Sequence, residues 1–204
     1  MNTSETLLVS GKALSTVCES AELDDDVLVR LDEAEELPTF LEGLSGDGLH
    51  EPTIAFLAQA LPSRQAVGWA WVCAREVTGE DAPAEVEACL EATRAWIQDP
   101  TDELRRAAFD AADVAGMDTP AGAAGLAAFF SGDSLAPPDS DPAPPPEGLV
   151  GRTVAGCIHI SAACGEPEDV VARYEDFIRR GMELAERVSL WQTKGAGPEE
   201  QREP

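Results

Sequence analysis

Histidine, basic residues and long apolar runs are scarce in this sequence, and each shortage closes off a class of function. Histidine occurs only as His50 and His159, so general-base or triad chemistry must use one of these or a carboxylate. Basic residues number 14 against 39 acidic ones, giving a formal net charge of −25 and a pI near 4.1. Direct nucleic-acid binding needs a basic footprint, and an anionic membrane surface needs the same, so neither is expected as a partner. No run of about 18 apolar residues is present. The most apolar segment, from Leu149 to Cys164, is interrupted by Arg152 and His159. The residues from Met1 to Leu14 show neither a basic start nor an apolar run, so no secretory leader is expected and a bacterial cytoplasmic location is. Five cysteines, an odd number at wide spacing, read as reduced thiols instead of a disulfide frame.

The motifs that carry common chemistries are missing as well. There is no phosphate-cradling glycine loop, no GxSxG elbow and no HExxH. Cys157, His159 and Cys164 do not make a zinc set, because residues two apart on a helix point about 200° away from each other. The acidic stretch from Asp24 to Asp32 lacks the ligand order of a calcium loop. His159 reads as a satisfied core residue and His50 as a surface residue in a loop. No cofactor, metal or catalytic residue is therefore assigned. An enzyme built on an unrecognised carboxylate site is the alternative from another class.

What is present is helix punctuation. The 44% hydrophobic content is enough for a core. Ser10–Cys18, Pro38–Leu44 and Pro52–Leu61 read as short helices, the last two with proline in the first turn. The segment around Val27, Leu28, Val29 and Leu31 reads as loop plus a short amphipathic piece. From Pro62 the pattern sharpens. Ser63, Thr101 and Thr119 stand as caps, Asp81 and Pro83 open a further helix, and Gly116 and Gly132 close two of the four. Val150–Cys164 is apolar nearly all round, as a buried central helix would be. From Glu166 to Trp191 a long amphipathic helix is expected, with acid-before-base pairs such as Asp169–Arg173, Glu175–Arg179, Asp176–Arg180 and Glu183–Arg187 on its polar face. Trp96 and Phe177 are expected in the core.

The fold class implied is all-α: an irregular bundle or array of about seven or eight helices, with no strand alternation of useful length. Residues 1–192 form one helical domain, with a weakly patterned acidic part at 1–50, and 193–204 read as a disordered tail. Half of the twelve residues from Ala136 to Glu147 are proline. That stretch reads as a strap or spacer, able to reach on the order of 37 Å at about 3.1 Å per residue.

Several stretches together resemble an uncharacterised bacterial family, a domain of unknown function. They are Ala60–Ala70 (ALPSRQAVGWA), Ala95-Trp96 with Pro100-Thr101, Arg105–Ala108, Thr119–Gly122, Ser131–Pro138, Val154–Gly156 and Arg173-Tyr174. Where Gly68 and Trp71 stand, the resemblance implies a tryptophan and a smaller residue respectively. It also implies company with type VI secretion effector and spike modules, and it brings no catalytic residues.

These readings converge on a binder. Residues 1–50 carry 12 acidic and 2 basic groups, a charge of −10, in the least regular part of the chain. A partner protein with a basic or mixed surface would meet Asp24, Asp25 and Asp26 there, with Trp191 as a further anchor. An adaptor or chaperone-like accessory of a type VI module and an immunity protein against a basic toxin both fit; oligomeric state is left open. The expected far-UV spectrum is helical and is unchanged by reductant and chelator together. Loss of structure on chelation, or a stoichiometric bound metal, would contradict this.

Overall fold

The computed structural model describes residues 8–9, 11–79 and 81–191; the tail at 193–204 lies outside them. Among these residues ten α-helices follow one another, confirming the all-α class with more helices than the periodicity implies. A tiny antiparallel hairpin, β1 (Leu8–Val9) with β2 (Lys12–Ala13), precedes α1 (Leu14–Ser20). The helix expected over Ser10–Cys18 is therefore present from Leu14 onward, with Leu14, Val17 and Cys18 buried, and Gly11, at φ +81°, turns the chain before it. Then come α2 (Asp25–Glu33), α3 (Leu37–Gly46), α4 (His50–Ala60), α5 (Ser63–Thr78) and α6 (Ala84–Gln98). After them follow α7 (Asp102–Ala115), α8 (Pro120–Phe130), α9 (Leu149–Ala163), a 3-10 turn at Pro167–Asp169, and α10 (Val170–Arg187).

Two helix starts follow the sequence logic directly. Thr101 Oγ1 accepts from the Leu104 amide and Thr119 Oγ1 from the Gly122 amide, each satisfying an amide that the first turn leaves without a partner. Ser63 does not cap. Pro62, in extended backbone, holds the cap position, and its carbonyl accepts from the Gln65 and Ala66 amides, so Ser63 is already the first helical residue. Pro83 does the same for α6.

The centre of the molecule is α8, which packs against α5, α6, α7 and α9. Its buried residues from Ala121 to Ala128 are all alanine or glycine. With so little side chain, the neighbours approach to backbone distance. A Cβ on Gly125 would stand 2.9 Å from the Ala108 carbonyl oxygen of α7 and 3.1 Å from Cys89 Sγ of α6. The apolar helix α9 lies beside α8 and is covered by α4, α5 and α10, as its all-round hydrophobicity implies. Trp69 of α5 locks α10 in place. Its indole N–H donates to the Phe177 carbonyl at 2.8 Å, and its ring lies over Gly181, where a Cβ would come within 2.7 Å. Trp96 and Phe177 are both core residues. Along α10, Asp169–Arg173, Asp176–Arg180 and Glu183–Arg187 pair as expected, whereas Arg179 turns to Asp176 and Glu183 instead of Glu175.

The proline-rich segment is not an extended strap. Its Leu135 amide donates to the Ala143 carbonyl at 2.8 Å, and the Ala143 amide donates to Ser134 Oγ, so residues 134–143 close into a loop. The loop is held from below by Arg105, whose buried guanidinium donates to the Phe129 and Ser134 carbonyls and to Asp102. It also stacks on the Phe129 ring at 4.8 Å. Gly132 is required for this, since a Cβ there would fall 2.4 Å from Arg105 Nε. Arg106 adds a bond to the Ala136 carbonyl.

Two glycines inside helices should answer oppositely to alanine. Gly125→Ala forces backbone apart at the α7–α8 contact and is expected to cost about 1–3 kcal/mol. Gly68→Ala meets nothing nearer than Ile97 Cγ2 at 4.0 Å and should stabilise by about 0.5–1 kcal/mol. Denaturant melts of both variants check this, and equal effects would contradict the close-packing account.

Candidate functional site

Negative charge is spread along the whole chain, and its densest stretch runs from Glu19 to Glu36, from the end of α1 through α2 to the start of α3. Of the four apolar residues of α2 only Val27 is buried, Leu28 and Leu31 are half-buried and Val29 is exposed, and the helix leans chiefly on α3. Asp24 holds the cap position without making a capping bond; it and Asp25 and Asp26 are exposed at the positive end of the helix dipole. The stretch is therefore mostly helix, beginning at Asp25, with its aspartates displayed. Few cations offset them. Arg30 pairs with Asp47 at 2.7 Å, and Lys12 Nζ donates to the Gln59 carbonyl at 2.8 Å. Gln59, buried on α4, in turn donates to the carbonyls of Ser20 and Gly148, tying the acidic layer and the end of the proline-rich loop to the bundle.

Trp191, the other residue expected to meet a partner, is half-buried against the core beyond α10, and its shielded indole nitrogen has no hydrogen-bond partner among the described residues. The turn before it places it there: Ser189, at φ +55°, reverses the helix and lets the Leu190 amide reach the Ala185 carbonyl. No hydrogen bond or ring contact among the described residues joins Trp191 to the three aspartates, so the four are not one constellation.

A cluster that sequence reasoning missed lies between α4, α9 and α10. His50 is not a loop residue: it opens α4 and stacks on Tyr174 with ring centroids 5.2 Å apart. The Tyr174 hydroxyl lies 3.1 Å from His159 Nδ1. Both histidines thus meet the single tyrosine of the chain. Burial pushes His159 below the ordinary histidine range, with Glu51 opposing, and pushes Tyr174 upward, so at neutral pH the pair is uncharged and the hydroxyl can donate to the imidazole. The signal was a rare one, two histidines and one tyrosine in 204 residues, but 109 positions separate the histidines and only the packing of α4 on α9 joins them. The grooves at the α1–α2, α2–α3 and α5–α10 junctions are lined by other residues, so the cluster faces none of those openings.

The cysteines are free thiols, four buried and Cys164 half-buried. Burial raises Cys18 and Cys89 to about 11 and Cys157 to about 12, which keeps these three protonated and unreactive at neutral pH. No group of three or more His, Cys, Asp or Glu among the described residues is placed to hold a metal ion. No helix among the described residues is long and apolar enough to cross a membrane.

Residues 40–185 match a family described as of unknown function, DUF6931. Nothing in that match links the chain to type VI secretion. No curated protein and no solved structure matches.

The buried histidine sets an expected pH response. With its folded pKa depressed, His159 takes up a proton at higher pH in the unfolded chain than in the folded one. Its contribution to stability is intact well above about pH 6.5 and is lost as pH falls through that value toward the lower folded pKa. Wild type should lose melting temperature relative to His159→Gln between pH 8 and pH 5.5, the shared carboxylates cancelling in the difference. Parallel curves would contradict the assignment.

Proposed function

The chain belongs to the DUF6931 family, a family of unknown function, and we propose from that premise that it is a non-enzymatic protein-binding component that docks a cationic partner protein through its acidic N-terminal layer. The observation that carries this reading is the display of Asp24, Asp25 and Asp26, exposed together on a helix that is only lightly held by the bundle. A field of one sign over the surface speeds encounter with a partner of the other sign and sets its orientation. Asp24, Asp25 and Asp26 lie N-terminal to the residues that match the family, so the match itself carries no support for this surface.

An adaptor or chaperone-like accessory serving a type VI secretion effector module is the setting that the sequence resemblance suggests. An immunity protein that covers a basic toxin would use the same surface. Both are binders, and recovering the partner from the native cell distinguishes them. With the partner in hand, association should slow as ionic strength rises through about 0.15 M, where the Debye length is about 8 Å. The triple substitution Asp24→Asn, Asp25→Asn and Asp26→Asn should lower the association rate and leave the bundle from Pro62 onward folded. A partner whose association ignores both salt and the triple substitution would refute acidic docking and leave solubility as the role of the charge.

A further inference from the structure

Between α1 and α2 the structure leaves an apolar groove of about 470 Å³. Leu14 and Cys18 line it from α1, Leu23 from the connecting turn, and Leu28 and Leu31 from α2. Glu19 and Glu22 form its exposed acidic rim, and no cation is among the described residues that line it. The two nearest cations in sequence are committed elsewhere, Lys12 to the Gln59 carbonyl and Arg30 to Asp47. We infer that this groove receives an amphipathic, cationic helix of a partner protein, its apolar stripe on the leucines and its Lys or Arg flanks against the acidic rim. The inference rests on the acidic-docking reading above and gives it a seat.

Shape and charge both select this occupant. Two helical walls with an apolar strip between them are completed by a third helix, which buries its own stripe in the same act. At about 1.5 Å per residue the nine residues of α2 span about 13 Å, enough for two to three turns of a partner helix. A second copy of this chain would bring the same acidic layer to the contact and be repelled. Two other grooves compete: the one between α2 and α3 holds the Arg30–Asp47 ion pair, and the one between α5 and α10 sets Arg64, Arg180 and Arg187 against Glu183, which opposes a cationic helix.

The test uses the full chain and a fluorescein-labelled 18-residue peptide of leucine and lysine at helical spacing. A scrambled peptide of the same composition and a leucine–glutamate counterpart serve as comparisons, read by anisotropy at 50 mM salt. The helical leucine–lysine peptide should bind at least tenfold more tightly than the scrambled one, and the glutamate peptide should not bind. Glu19→Lys with Glu22→Lys, both exposed positions that leave the core untouched, should weaken binding at least tenfold. The same reversal on α7, Glu103→Lys with Asp110→Lys, should weaken it less than threefold. If the scrambled peptide binds equally well, or the α7 reversal matches the rim reversal, the groove is not the seat, while docking to the acidic surface stands. If no cationic peptide binds, both readings fall.

Discussion

The arrangement depends on how closely α8 lets its neighbours approach. A helix whose buried residues from Ala121 to Ala128 are only alanine and glycine contributes little hydrophobic area of its own. What it offers is proximity: α6 and α7 come to within contact of its backbone at Gly125, and α5 and α9 close the other sides. Dispersion is collected by the surrounding larger side chains, which are drawn together over a thin centre. Close packing of this kind is unforgiving, because a single added methyl has backbone for a neighbour, and backbone cannot rotate away. At the edges glycines make room for side chains instead, where Gly132 admits the Arg105 guanidinium, Gly151 admits Gln59 and Gly181 admits the Trp69 ring. Each of these glycines sits under a side chain that reaches across to a carbonyl of another segment.

A bundle held in this way can carry a heavily charged exterior. Repulsion among 39 carboxylates opposes compaction, and α2, in the densest acidic stretch, buries only Val27. Burial and charge are therefore divided between two parts of the chain. Helices α3 to α10 hold the molecule together, and α2 presents acid and, with α1, an apolar groove. Lightly held elements are the ones that can adjust to a partner at small cost, which links the weak packing of α2 to the proposed docking role.

Much of this was legible in the sequence, and the misses have physical reasons. Thr101 and Thr119 marked helix starts because their capping is local, decided within four residues. The apolar helix around Val154 and the stripe through Phe177 were readable because burial follows periodicity. The proline-rich segment was misjudged because composition fixes local backbone preference, not closure; the loop is made by Ser134, Leu135 and Ala143, and by Arg105 some 29 residues away. His50 was misplaced because the Gly and Asp before it suggested a continuing loop, while its meeting with Tyr174 depends on α4 and α10 lying side by side. The groove between α1 and α2 had no signature either, since Leu14, Leu28 and Leu31 read from sequence as ordinary core leucines.

The division into a close-packed bundle and a lightly held acidic layer is the central claim, and native-state hydrogen exchange of the full chain tests it most directly. Amides of α8 and α9 should exchange only through global unfolding, while those of α2 should open at a free energy well below it. If α2 proves as protected as α8, or α8 opens first, the bundle does not depend on that thin central helix and the account fails.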